Sequence, residues 1–130
     1  MASYRREIHI ERTPDEVWDL VGDPARLHDW FPIDNCVVEG NKRWIYLASG
    51  LKFEEEILVQ DNAMHRFQYT IINNPIWKDH LGTIDVIDDQ RGGSFLIYST
   101  QGKPDVLALV TEGAAGAAIK KAKQILEATK

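Results

Sequence analysis

The chain reads as α+β, a curved antiparallel sheet of seven strands wrapped round one long C-terminal helix. Three features carry that reading. Between residues 33 and 101, short apolar stretches with a period of two are parted by turn-forming clusters, the pattern of a β-meander. From residue 105 onward the period becomes helical. Leu107, Val110, Ala114, Ala115, Ala118, Ile119, Ala122, Ile125 and Leu126 fall on one face, with Glu112, Lys120, Lys123 and Glu127 on the other. A sheet with one apolar face needs a cover, and only this helix is large enough to supply it.

Residues 3–10 form the first strand, with Tyr4, Ile8 and Ile10 in a period of two. Thr13-Pro14-Asp15-Glu16 then starts a helix: Thr13 as N-cap, Pro14 in the first turn and Glu16 closing a capping box. Gly22-Asp23-Pro24 ends it, and a second short helix runs from Pro24 to about Asp29, into Trp30-Phe31-Pro32. The meander strands are expected at 33–39, 42–49, 52–60, 64–73, 79–88 and 93–101. Their separators, such as Gly40-Asn41, Ser49-Gly50 and Arg91-Gly92-Gly93, are short enough for hairpins, hence antiparallel pairing. The long helix follows, over 105–130.

The buried face of that helix is bulky at both ends and carries only alanine in the middle, with Gly113 and Gly116 in the same waist. Glycine disfavours helix by ~1 kcal/mol relative to alanine. Either another element comes very close to the waist, or space is left empty between helix and sheet.

Composition narrows the function. The chain has 130 residues, 44% hydrophobic, with a net charge of −5, which suits one domain, residues 1–130, with a real core. No basic run exists, which argues against nucleic acid or an anionic membrane surface as partner. Cys36 is the single cysteine, and His9, His28, His65 and His80 show no paired ligand spacing, so no metal site is expected. Gly92-Gly93 lacks the Lys-Ser/Thr of a phosphate loop. With no apolar signal segment and no run of 18 apolar residues, a cytoplasmic protein without integral membrane association is expected.

The strand at 52–60 puts Phe53, Glu55, Ile57 and Val59 on its apolar face, so one carboxylate points inward, which is costly unless it is paired or protonated. The next strands offer Phe67, Tyr69 and Ile71, then His80, Gly82, Ile84 and Val86. Two strands are ambiguous in phase: Arg43/Ile45/Leu47 against Trp44/Tyr46/Ala48, and Leu96/Tyr98 against Phe95/Ile97.

The run from Thr13 to Pro24, then Trp30-Phe31-Pro32, Val38-Glu39-Gly40, Arg43, Ser49-Gly50, and Glu55 followed by Asp61, resembles the START-like (SRPBCC) superfamily, nearest its polyketide cyclase/dehydrase and lipid-transport branch. The resemblance spans the whole chain and implies the helix-grip fold with a ligand cavity between sheet and helix. It favours the Arg43/Ile45/Leu47 phase and implies a cavity lined by Trp30, Arg43, Leu47, Glu55, Phe67, Tyr69, Ile71, His80, Tyr98, Val110, Ala114 and Ala118. Similarity to the abscisic-acid receptors suggests that Ser49-Gly50-Leu51 is a shortened form of their gating hairpin. It also places Trp30 where those receptors carry a cavity lysine, which argues against a carboxylate-bearing ligand. The lachrymatory-factor synthase of the superfamily uses an arginine, a glutamate and a tyrosine. Arg43 and Glu55 match the first two, and His80 stands in place of the third.

Three functions follow as expectations. The first is binding of a hydrophobic or aromatic small molecule, polyketide-, lipid- or terpenoid-like, without a cofactor. The second is a cofactor-independent cyclase, dehydratase or isomerase, with Arg43 holding an oxyanion while Glu55 and His80 move protons. The third is a protein-interaction module using Trp77 and the exposed strand face. For Glu55 a plain salt bridge with Arg43 competes with a ligand-anchoring or catalytic role. For oligomeric state, a monomer or weak dimer is expected.

Overall fold

A computed structural model describes residues 1–128. Strand β1 spans Ala2–Ile10, helix α1 Pro14–Val21, a 3-10 turn Pro24–Arg26 and helix α2 Leu27–Trp30. Strands β2 (Asn35–Glu39), β3 (Lys42–Tyr46), β4 (Lys52–Asp61), β5 (Arg66–Ile72), β6 (Asp79–Asp88) and β7 (Ser94–Lys103) follow, and α3 (Asp105–Ala128) closes the described chain. The last two positions of the expected helix, residues 129 and 130, lie outside the described residues. One antiparallel sheet has the order β1-β7-β6-β5-β4-β3-β2. The long helix packs on β1 and β7, with α1 and α2 against it.

Local sequence explains the element ends. Thr13 Oγ1 accepts from the Glu16 N–H, and the Glu16 carboxylate accepts from the Thr13 N–H, so the capping box opens α1 as expected. The second meander strand stops at Tyr46 instead of residue 49, because Leu47 to Leu51 close a turn held by Leu47 N–H to Leu51 C=O. β5 begins at Arg66 instead of residue 64. Asp61 Oδ1 accepts from the Ala63 and Met64 N–H groups, and His65 takes a left-handed φ of 61°, so these residues are the turn.

The sheet faces largely follow the expected alternation, and the two ambiguous phases resolve. Arg43 and Ile45 are buried in β3, and Leu96 and Tyr98 in β7. β4 departs from it. A bulge between Ile57 and Val59 sets Ile57 opposite Tyr69 but Val59 opposite Gln68. Val59 therefore leaves the inner face on which simple alternation put it.

Both readings of the helix waist hold, on different sides. Ala115, Gly116, Ala118 and Ala122 are buried in the core. Arg6 of β1 pairs with Tyr98 of β7 in register, so it too points inward, and its guanidinium lies against Gly116 and bonds Glu112. A methyl group at Gly116 would come within 2.8 Å of Arg6 Nη2. Gly113 faces open space instead. Ala114 borders a void.

Candidate functional site

That void is a cavity of about 320 Å³ between the inner face of the sheet and the N-terminal turns of α3. At ~30 Å³ per water it has room for roughly ten waters, the scale of a one- or two-ring molecule. One wall comes from α2 and the turn after it: Leu27, Phe31, Pro32 and Ile33. The sheet supplies Ile45, Phe53 and Ile71, the turn after β3 supplies Leu47, and α3 supplies Leu107, Val110, Thr111 and Ala114. Trp77 closes the hairpin side. Polar atoms enter from Glu55, Tyr69, His80 and Tyr98.

Glu55 is 6% exposed, and its Oε1 accepts from Arg43 Nε at 2.8 Å. The two residues are register partners on β3 and β4, which is why one inward arginine meets the inward carboxylate. Burial raises the Glu55 pKa, opposed by the charge and hydrogen bond of Arg43. Arg43 itself is 1% exposed. Its Nη1 donates to the Pro24 carbonyl, and its guanidinium carbon lies 5.1 Å from the Phe67 ring centre and 4.9 Å from that of Tyr69, in cation–π range.

The Tyr69 and Tyr98 hydroxyls bond to each other. Burial pushes both phenols above their ordinary pKa, so both stay protonated. Tyr69 has room because its partner across β6 is Gly82, where an added methyl would lie 2.4 Å from the ring.

His80 Nδ1 accepts from the Ile71 N–H at 3.0 Å, which assigns the proton of the neutral ring to Nε2. Burial lowers its pKa to about 4. At neutral pH it is an uncharged hydrogen-bond donor with its acceptor nitrogen occupied. Of the two expected roles of His80, giving or taking a proton, this arrangement presents Nε2–H to the cavity side.

Of the residues expected to line the cavity, Leu47, Glu55, Tyr69, Ile71, His80, Tyr98, Val110 and Ala114 do so. Trp30, Arg43, Phe67 and Ala118 do not. Trp30 is buried beneath the wall against Phe31 and Tyr98, Arg43 and Phe67 lie behind Tyr69, and Ala118 belongs to the closely packed part of α3. Trp77, expected as a partner contact, is 8% exposed, set edge-on to His80 and packed over Gly102, where only glycine leaves room. It is therefore unavailable as a docking residue, whereas neighbouring Ile76 is exposed. Leu27, Phe31, Pro32, Ile33, Ile45, Phe53, Trp77, Leu107 and Thr111 also line the cavity, outside the expected set. For three of these the sequence carries the signal: Ile45 and Phe53 share the inward phase of Arg43 and Glu55, and Leu107 lies on the apolar helix face. Among the described residues, no three His, Cys, Asp or Glu side chains group closely enough to hold a metal.

A seven-stranded sheet gripping a C-terminal helix over a largely apolar cavity defines the helix-grip, START-like class. The chain belongs to the polyketide cyclase / dehydrase and lipid transport family, whose model matches residues 1–130. Membership supports a ligand-binding or cyclase role. The fold is similar to that of the protein XoxI from Bacillus cereus, 25% identical over 97% of this chain and 96% of that one, with a TM-score of 0.90. It is also similar to norcoclaurine synthase from Thalictrum flavum in complex with dopamine and hydroxybenzaldehyde, 15% identical over 99% of this chain and 88% of that one, TM-score 0.77. A third likeness is the di-domain ARO/CYC BexL from the BE-7585A biosynthetic pathway, 18% identical over 100% of this chain and 48% of that one, TM-score 0.74. No curated protein sequence matches the chain. No helix among the described residues is long and apolar enough to cross a membrane.

Proposed function

We propose that residues 1–130 form one ligand-binding domain that holds a small, mainly apolar molecule, polyketide-, lipid- or terpenoid-like, in the cavity between sheet and α3. The observation that carries this reading is the cavity itself: about 320 Å³, walled by aliphatic and aromatic side chains, with a few convergent polar groups at one end. A cytoplasmic setting belongs to the same reading and accords with the free thiol of Cys36. A ligand that binds only the folded state raises the melting temperature by mass action. The test is a thermal-shift screen of aromatic, terpenoid and acyl compounds, paired with native mass spectrometry of the purified protein. A dose-dependent shift that disappears in Ala114→Leu supports the reading; no shift with any class, and no co-purified compound, overturns it.

A second reading, cofactor-independent cyclase, dehydratase or isomerase chemistry, is favoured by a specific observation. Glu55 is a buried carboxylate bordering the cavity, its pKa raised by burial against the opposing charge of Arg43, a position from which a carboxyl group can exchange a proton with a bound ligand. In this version Arg43 orients Glu55 and His80 donates through Nε2. Glu55→Gln then abolishes turnover while ligand affinity survives, and unchanged turnover would sink the enzyme reading.

A further inference from the structure

The polar end of the cavity combines one acceptor, Glu55, with neutral donors, the tyrosine pair and His80 Nε2–H, while Arg43 stays behind the wall. Glu55 uses Oε1 on Arg43, and among the described residues Oε2 has no protein partner. Glu55 and Tyr69 are diagonal neighbours on adjacent strands, since Glu55 pairs with Ile71 and Ile57 with Tyr69. Two hydroxyls that bond to each other use one proton between them, so the Tyr69–Tyr98 pair keeps one further O–H to give, together with unused lone pairs. Arg43 does not line the cavity. Its Nε bonds Glu55 and its Nη1 the Pro24 carbonyl, while Nη2 has no hydrogen-bond partner but is buried behind the wall with the rest of the group, against the faces of Phe67 and Tyr69.

We propose that this end of the cavity reads a neutral hydroxyl group and rejects a carboxylate. A hydroxyl is donor and acceptor at once, so it satisfies Glu55 and the tyrosine pair together, whichever way the tyrosine hydrogen bond runs. A carboxylate entering the same place meets the Glu55 carboxylate first; Arg43 lies behind Glu55, so it offsets the repulsion only from farther away and donates no hydrogen bond to the ligand, while the ligand carboxylate gives up its own hydration. A purely apolar ligand leaves the polar atoms desolvated and unpaired. The proposal rests on the cavity-binding reading above, naming the chemical class that the site selects.

The test uses three probes of one size, naphthalene, 2-naphthol and 2-naphthoate, titrated at pH 7 against the whole chain with tryptophan fluorescence as readout. The expected result is 2-naphthol tighter than each of the other two by about tenfold or more. In Tyr69→Phe/Tyr98→Phe the naphthol-over-naphthalene ratio falls towards one while naphthalene still binds, which shows that the cavity is intact. If that double variant fails to fold, Tyr98→Phe alone is expected to lower the ratio. Equal binding of the three probes to the wild-type chain overturns the hydroxyl proposal and leaves cavity binding standing. A ratio unmoved by loss of the tyrosine hydroxyls also overturns it. No binding of any probe removes both.

Discussion

Arg43 and Glu55 face each other across β3 and β4 as a buried ion pair, guanidinium Nε to carboxylate Oε1 at 2.8 Å, with only the carboxylate bordering the cavity. The arginine thus serves the floor of the site, and the glutamate its interior. A buried pair of this kind adds little net stability over an apolar substitute, but breaking it strands a charge.

Arg43→Ala should therefore destabilise the chain by about 3–5 kcal/mol in urea denaturation, because Glu55 is left desolvated and unpaired. Replacing both residues with methionine should recover most of that loss. A single-variant cost below about 1 kcal/mol would mean that Glu55 finds another partner or is already neutral, against the ion pair as described.

Two alanines one turn apart on α3 should behave oppositely. Ala114 borders the cavity, so Ala114→Leu should fill space, leave stability within about 1 kcal/mol of wild type and abolish ligand-induced thermal shifts. Ala118 is 1% exposed inside the packed core, so Ala118→Leu should cost about 1–3 kcal/mol by overpacking. Calorimetry of the two variants side by side checks this. Equal destabilisation would place Ala114 in close packing instead.

These alanines show what could be read from residues alone. Hydrophobic period shows which face of an element is apolar, and the turn clusters show where elements end, so the succession of elements, the hairpins and the long helix are legible, whereas the pairing of β1 with β7 is not. The period does not say whether a small residue meets a neighbour or a void, because that depends on a partner distant in sequence. Arg6 against Gly116 and Trp77 over Gly102 are such cases: each glycine is explained by a side chain about a hundred or about twenty-five residues away. The bulge after Ile57 hid for a related reason, since one extra residue in β4 is visible only against its partner β5. Phases resolved by resemblance agree with the observed burial of Arg43, Ile45 and Tyr98. Resemblance still overstated the cavity, since Trp30, Arg43 and Phe67 sit one layer behind its wall.

Gly82 gives a direct test of the tyrosine pair. An added methyl would lie 2.4 Å from the Tyr69 ring, and the backbone there is ordinary strand, so the strain is steric and falls on Tyr69. Gly82→Ala should push that ring from Tyr98 and cost about 1–3 kcal/mol. Near-ultraviolet circular dichroism should change with it. In Gly82→Ala/Tyr69→Leu the clash is absent, so the added alanine should cost far less than in the wild-type background. Equal costs in both backgrounds would show that Tyr69 is not the group displaced.

His80 supplies the pH dependence. Its folded-state pKa is lowered to about 4 from the model-peptide value of 6.5, by burial. The unfolded chain therefore binds a proton that the folded chain refuses, and stability rises with pH across that interval. The contribution is fully present above about pH 6.5 and is lost as pH falls through about 4. Each unit of pKa difference corresponds to about 1.4 kcal/mol, so the loss should be on the order of 3 kcal/mol. The buried carboxylate has the opposite sign: with its pKa raised, Glu55 favours the folded state below its ordinary pKa and loses that contribution as pH rises through the folded value. Urea midpoints at several pH values between 7 and 4 should thus fall more steeply for wild type than for His80→Gln, which cannot titrate but can keep an acceptor for the Ile71 N–H. Parallel pH profiles for the two proteins would show that the His80 ring is not held neutral by burial.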